Sequence, residues 1–322
     1  MRHGRAEYVI KRVAFAVITI FVITSVLFFM FRLVPGDPAD RLAGPRATTA
    51  DREQIREEFC LNESLLEQYG RCYLGELFLH GNMGLSSRNH RPVTEVIWEK
   101  LKISVPMVLT GYLFAIIFGI VTGVLAAVRR RTWFDRTSTI TALVFYSFPT
   151  QWFGLMLLLL LAGVFPSGGR VDIFAANEGF AYLLDVAKHM VLPALTLGLV
   201  LYGEFTLVVR SAMLETLGED YVLTARAKGI PRRKIIWRHA FRNALLPIVA
   251  LTALTLAFVV AGSVLVETVF SWPGIGLEFY DSLRANDWAM LNGITIVLVV
   301  AVVLGNLTAD LLLFRLDPRI TE

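Results

Sequence analysis

Six stretches of this 322-residue chain stay apolar for long enough to cross a bilayer, which takes about 20 residues of helix. They run near Val13–Phe31, Ile103–Val128, Thr137–Phe165, His189–Val209, Ala244–Val266 and Ala289–Phe314. The pattern predicts an all-α membrane protein with six transmembrane helices. The first run follows Arg2, Arg5, Lys11 and Arg12, as the apolar region of a signal peptide would. It is too long for a signal and no small-residue cleavage site follows, so it is expected to remain as the first helix.

The longest polar segment lies between the first and second runs. The chain thus divides into an N-terminal helix (1–34), this segment (35–102) and a five-helix core (103–322). Thr49 is predicted to cap a helix whose first turn carries Asp51 and Glu53. Ser64 with Glu67 fits a capping box for a second helix. Pro92 suits the first position of a third, with Val93, Val96, Ile97 and Leu101 on one face, expected to lie on the membrane. Inside the third apolar run, Tyr146-Ser147-Phe148-Pro149-Thr150-Gln151 interrupts the helix, because Pro149 frees the carbonyl of Phe145. Irregular backbone at that depth is either a packed proline kink or the lining of a water-filled path. The second reading makes Ser147, Pro149 and Gln151 candidate residues of a translocation pathway.

Composition removes other classes. The side chains are 55% hydrophobic and 18% charged, with a net charge of +4. A soluble domain carries about 25% charged residues, disorder needs low hydrophobicity, and two cysteines cannot staple a disulfide scaffold. The small basic excess is a weak sign of nucleic acid; on a membrane protein it sets orientation, and no nucleic-acid partner is expected. Four basic residues precede the first run. Arg129, Arg130, Arg131 and Arg136 follow the second, and Arg210, Arg226, Lys228, Arg232, Arg233, Lys234, Arg238 and Arg242 follow the fourth. The short loops on the other side hold only Arg170, Lys188 and Arg284. Both termini are therefore expected to be cytoplasmic and residues 35–102 extracytoplasmic. Trp98, Trp133, Trp237, Trp272 and Trp288 fall at the predicted boundaries, where the headgroup layer suits an amphipathic ring; Trp152 lies inside a run.

Catalytic signatures are missing from the sequence. It has no GxxxxGK[ST] phosphate loop, no HExxH and no GxSxG, and its five histidines lack ligand spacing. No ATPase, metal or membrane-hydrolase site is expected on this chain. Glu204 is the clearest ionisable group in a span. Six residues before Arg210, it is expected to have a structural partner, and Asp310 likewise sits near a helix end. An ion-coupled carrier would need more such groups at mid-depth. Cys60 and Cys72 share the oxidising side, where a disulfide persists. One ends a predicted helix and the other lies two turns into the next, so bridged and free forms both stay open.

The informative segment is the loop 210–243. Asp220 to Lys228 is predicted to be a short helix, with Ala225 and Ala227 favouring it and Asp220 at its positive end. Gly229 is predicted to end it in a left-handed conformation, and Pro231 prevents continuation. A basic amphipathic stretch from Arg232 then leads into the fifth run. Such a knob suits docking into a groove on another protein, or lying on anionic lipid.

This segment, Asp220-Tyr-Val-Leu-Thr-Ala-Arg-Ala-Lys-Gly229 followed by Arg238-His-Ala-Phe-Arg-Asn-Ala-Leu-Leu-Pro247, resembles the "EAA" loop of ABC importer permeases in the form found in peptide and nickel permeases. Further resemblances run along the chain. They are Arg32-Leu-Val-Pro-Gly-Asp-Pro38, Gly81-Asn-Met-Gly-Leu-Ser86, Pro92-Val93, Phe148-Pro149 with Trp152, Glu267-Thr-Val-Phe-Ser-Trp-Pro-Gly-Ile-Gly276, and Asp317-Pro-Arg319. Together with the long segment after the first helix, they resemble the B-type permease subunit of dipeptide and oligopeptide importers. Neither cysteine nor Glu204 belongs to that pattern.

The resemblance implies a multi-pass protein of the bacterial inner (cytoplasmic) membrane with the type I ABC importer permease fold. It implies a second homologous permease subunit, two cytoplasmic ABC ATPase subunits that carry ATP and Mg, and an extracytoplasmic peptide-binding protein. Peptide would be the substrate, membrane lipid the surroundings, and no cofactor would sit on this chain. The ATPase-coupling contact would be Tyr221, Thr224, Ala225, Arg226, Ala227, Lys228 and Gly229. Small Ala225 and Ala227 would permit close approach, with Arg226 and Lys228 at the rim. A permease of the same fold for nickel, glutathione or another small solute is the alternative.

Overall fold

The computed structural model describes residues 2–33, 37, 39, 47–58, 60–172, 174 and 178–316. Of the motifs above, residues 34–36, 38 and 317–319 lie outside the described residues. The described elements are α1 (Arg2–Leu33), α2 (Thr49–Glu58), α3 (Leu65–Glu67, continuing as a π-helix Gln68–His80) and α4 (Val93–Val128). Then come α5 (Trp133–Ser147), α6 (Thr150–Leu161), α7 (Gly179–Leu217), α8 (Asp220–Ala227), and α9 (Arg232–Lys234, continuing as a π-turn Ile235–Ala240). The last three are α10 (Phe241–Val269), α11 (Ile275–Ala285) and α12 (Trp288–Leu316).

Among the described residues, four helices are long and apolar enough to cross a membrane: Glu7–Met30, Val93–Val128, Gly179–Leu217 and Trp288–Phe314. α10, with 29 residues, stands where the fifth apolar run was expected. The third run is not one helix. α5 and α6 meet at 106°, so the polar hexapeptide is a full break and not a kink. The cause is local. Phe148, as the residue before a proline, is extended at φ −74°, ψ 130°, and Pro149 takes the N-cap position of α6. The carbonyl of Pro149 accepts from the Phe153 N–H at 3.0 Å, and the helix restarts in a new direction.

The chain falls into two compact units, residues 13–105 with 273–303, and residues 1–12, 106–272 and 304–322. In the first, Val93, Val96 and Ile97 are buried with Ile275, Ala289, Met290 and Ile294, and Leu101 packs beside them. The face expected to lie on the membrane is therefore core. The sequence pattern suggests that one helix ends and another begins where α4 in fact runs unbroken for 36 residues. Its first turns are thereby held against α11 and α12. Pro92 stands just outside the helix, bridged to Leu85, and its carbonyl accepts from the Val96 N–H at 3.2 Å. Thr49 likewise is inside the first turn of α2 and does not cap it; the Arg52 N–H bonds the Thr48 carbonyl.

Glu278 is buried between Arg88 at 2.9 Å and Lys100 at 3.1 Å, which ties the loop before α4 to α11. The Ser64–Glu67 capping box forms as predicted. The Ser64 hydroxyl donates to the Glu67 carboxylate at 2.8 Å and holds it below the usual carboxylate range. α3 rests on α1, with Tyr69 and Tyr73 against Phe28 and the Tyr73 hydroxyl donating to the Thr24 carbonyl. Burial pushes that hydroxyl up to about 12. Cys60 and Cys72 are bridged, their Cα atoms 6.3 Å apart. The turn after α2 folds back, with the Leu61 N–H on the Arg56 carbonyl, and removes the separation that two successive helices suggested.

In the second unit α5, α6 and α10 pack on α7, and α4 and α5 approach it closely at glycines. A Cβ on Gly111 would stand 2.6 Å from the Ala194 carbonyl oxygen, and one on Gly203 would stand 2.4 Å from that of Ala142. Small residues at such crossings let helices in lipid approach closely. Asp310 pairs with Arg12 at 2.9 Å, and Tyr8 stacks on Phe314 at 4.6 Å. Glu204 is half-buried, and no hydrogen bond or ion pair reaches its carboxylate among the described residues, so the partner expected for it is not there. Trp272, expected in the headgroup layer, is 1% exposed and buried within the protein; its backbone N–H bonds the Glu267 carbonyl at 2.9 Å.

Two measurements test the packing and the bridge. Gly203→Ala must push α5 off α7 at a cost of about 1–3 kcal/mol, lowering the apparent Tm in detergent by roughly 3–10 °C. Gly163→Ala, whose Cβ meets nothing within 4 Å, serves as the matched control. Equal melting of the two variants would refute the close crossing. Intact-mass measurement of protein purified without reductant should give a mass lower by two hydrogen atoms than the reduced chain. Closing a 12-residue separation, the bridge stabilises by up to ~3 kcal/mol, so reductant should also lower the Tm. Two free thiols would contradict the structure.

Candidate coupling loop

α7 stops at Leu217, where the Gly218 N–H turns back to the Glu215 carbonyl at 3.0 Å. Glu219 is extended, and Asp220 opens α8 with a carboxylate in the first turn, where it meets the positive end of the helix dipole. The far end is closed by two reverse bonds. The Gly229 N–H donates to the Arg226 carbonyl at 2.9 Å, and the Ile230 N–H to the Ala225 carbonyl at 3.2 Å. This is the Schellman arrangement, and the contact of Ile230 with Ala225 is the apolar closure that accompanies it. Gly229 has φ +72°, as predicted, and nothing lies within 4 Å of where its Cβ would be. The requirement for glycine is thus conformational and not steric crowding.

Packing gives the loop two faces. Val222, Ala225 and Ile235 are buried together, with Leu217 and Ile230 beside them. Tyr221, Leu223, Thr224, Arg226, Ala227, Lys228 and Gly229 are exposed, Leu223 at 66%. Ala225 is 6% exposed. It lies three residues on from Val222 on the same buried stripe, packed with Ile235. Leu223 was missed. The i, i+3 spacing of Val222 and Ala225 marks the buried stripe of α8 and leaves Leu223 off it.

Both feet of the loop are fixed. Ala240 and Ala244 pack with Val124 and Ala127 of α4 and with Val209, Ala212 and Met213 of α7. Asp135, at the start of α5 and 4% exposed, receives Arg210 through Nε at 2.6 Å and Nη2 at 3.0 Å. The same carboxylate accepts the Arg131 N–H at 2.9 Å, so the turn between α4 and α5 is tied to α7 just before the loop begins. This pair also escaped the sequence reading, because 75 residues separate its members. Ser147 and Pro149 are exposed and Gln151 half-buried at the α5–α6 break, well apart in sequence from the loop.

Two family models match: the N-terminal part of binding-protein-dependent transport system membrane components over residues 6–108, and the inner membrane component of those systems over residues 119–322. The dipeptide transport system permease protein DppB of Escherichia coli K12 is 35% identical over 335 residues, covering 98% of both chains. The oligopeptide transport system permease protein AppB of Bacillus subtilis 168 is 36% identical over 319 residues, covering 98% of this chain and 99% of its own. Among solved structures, a chain of the MetNI methionine ABC transporter superposes with a TM-score of 0.56 at 19% identity, covering 70% of this chain and 97% of the other. That likeness concerns the fold. With both models spanning most of the sequence, and helices able to cross a bilayer several times, the chain belongs to the family of binding-protein-dependent transport system inner membrane components, the permeases of ABC transporters.

Proposed function

We propose that this chain is one of two permease subunits of an ATP-driven importer of dipeptides or oligopeptides, and that α8 is the element an ATPase subunit grips. The observation that carries this reading is the outward row on a knob already closed by its own Schellman bonds. Leu223 presents apolar surface, with Arg226 and Lys228 at its margin. Relatives named for dipeptide and oligopeptide transport match nearly the whole chain, which supports peptide as the substrate. The coupling set is then Tyr221, Leu223, Thr224, Arg226, Ala227 and Lys228, with Ala225 and Gly229 shaping it from within.

In this assembly a second, homologous permease completes the pathway, and an extracytoplasmic binding protein delivers peptide. Two cytoplasmic ATPases hold ATP and Mg, while this chain crosses the membrane six times with both termini inside. ATP closes the ATPases, displaces α8 and favours the outward-open state; hydrolysis reverses the bias. The tie between Asp135 and Arg210 makes the α4–α5 turn follow any movement of the lower end of α7. The α5–α6 break, with Ser147, Pro149 and Gln151, is the proposed lining of the path.

Gly229→Val places a β-branched residue at positive φ, at a cost of about 1–2 kcal/mol. It should insert normally yet lose ATP-driven peptide uptake and ATPase co-purification. Gly229→Asn, which tolerates the left-handed region, should retain much of both. Leu223→Glu should leave the chain folded and release the ATPases. If all three variants transport as well as the parent, α8 is not the coupling element. Orientation is read separately. A cysteine placed at exposed Asn286 should react with an impermeant maleimide from outside, and one at exposed Arg131 only after permeabilisation; the reverse pattern would invert the topology.

A further inference from the structure

The basic stretch beyond Gly229 has a face that the coupling contact does not use. Ile235 and Ala240 are buried, while Arg233, Lys234, Trp237 and Arg238 point outward. These four side chains, with Pro231, line a shallow, open cleft of about 500 Å³, all of them beyond Gly229 in the chain. No carboxylate pairs with Arg233, Lys234 or Arg238 among the described residues, whereas three other cations near the loop are engaged. Arg210 holds Asp135, Arg232 donates to the Val128 carbonyl at 3.2 Å, and Arg129 lies over the Phe134 ring. Trp237 is 46% exposed and meets Phe241 edge-on at 5.3 Å, at the point where the chain enters α10. Three unpaired cations beside a half-exposed indole, at the foot of a membrane helix, match the chemistry of a phosphate headgroup with an interfacial ring beside it.

We propose that this cleft holds one anionic phospholipid of the cytoplasmic leaflet, its phosphate between Arg233, Lys234 and Arg238 and its glycerol backbone against Trp237. Bound lipid would brace the membrane side of the coupling loop, so that ATP-driven transport depends on anionic lipid. The location in the inner leaflet rests on the orientation given above. The binding test does not, because both leaflets of a nanodisc carry the same lipids.

The assembled transporter, purified with its partner subunits, is placed in phosphatidylcholine nanodiscs with or without phosphatidylglycerol, and lipid retained after transfer to detergent is measured by native mass spectrometry. The parent should retain phosphatidylglycerol in preference to phosphatidylcholine. A variant carrying Arg233→Gln, Lys234→Gln and Arg238→Gln should lose that preference by about 100-fold, since each basic residue near an anionic surface is worth roughly five-fold. Substitution of the two arginines by lysine should restore most of it, and Trp237→Ala should weaken it further in the lysine background. All variants should keep their ATPases, and peptide-stimulated ATP hydrolysis should rise with phosphatidylglycerol only where the charges remain. Equal lipid retention by parent and glutamine variant would overturn the proposal. So would inorganic phosphate displacing the retained lipid at low millimolar concentration, which would indicate a soluble anion site, or loss of the ATPases from the glutamine variant, which would assign the face to them.

Discussion

Lipid tails are as apolar as leucine, so helices in a bilayer gain little by hiding from solvent and must hold together by close contact. Here that contact is organised along α7. Gly198 of α7 meets Gly111 of α4, Phe205 lies over Gly119, and Gly203 lies under the Ala142–Tyr146 turn of α5. At each crossing an added Cβ would fall within 3 Å of a neighbouring atom. The C-terminal end of α7 is the first foot of the loop, and Asp135 grips it through Arg210. The position of the loop therefore depends on backbone approach in the membrane-spanning part.

The loop itself needs little help to take its shape. α8 has only eight residues, too few to be stable alone. Three local devices hold it: the Asp220 carboxylate meets the helix dipole at the start, Schellman bonds close the end, and Val222 and Ala225 pack on Ile235. A surface ordered in this way before it meets a partner loses less entropy on docking than a flexible one. The same turn divides the loop's charges. Arg226 and Lys228 lie with α8, while Arg233, Lys234 and Arg238 lie on the other side of Gly229 and Pro231.

Elements with a local cause were legible in the sequence. Ser64 and Glu67 form their box three residues apart, and Gly229 takes the left-handed conformation that its place between Lys228 and Pro231 demanded. The bounds of α8 follow from Asp220 and Gly229. The apolar runs marked the long helices, because a run of that length in lipid has few conformations other than helix that satisfy its backbone. Proline at 149 was recognised, but its consequence was underestimated. A proline in a helix often only kinks it, but here the extended backbone of Phe148 before Pro149 ends α5 outright.

What the sequence determined, then, was composition, helical periodicity and the punctuation at caps and turns, all of which act within a few residues. The tertiary structure decided which face of each helix is inside. Val93, Val96 and Ile97 became core because α11 and α12 cover them, and Trp272, at a predicted boundary, is buried within the protein. Cys60 and Cys72 met because the chain folds back after α2. Ala225 turned inward because Ile235 stands ten residues further on, and Asp135 found Arg210 across 75 residues. A local pattern states that a stripe is apolar or that a charge needs a partner; only the packing of distant segments supplies what covers the one and neutralises the other.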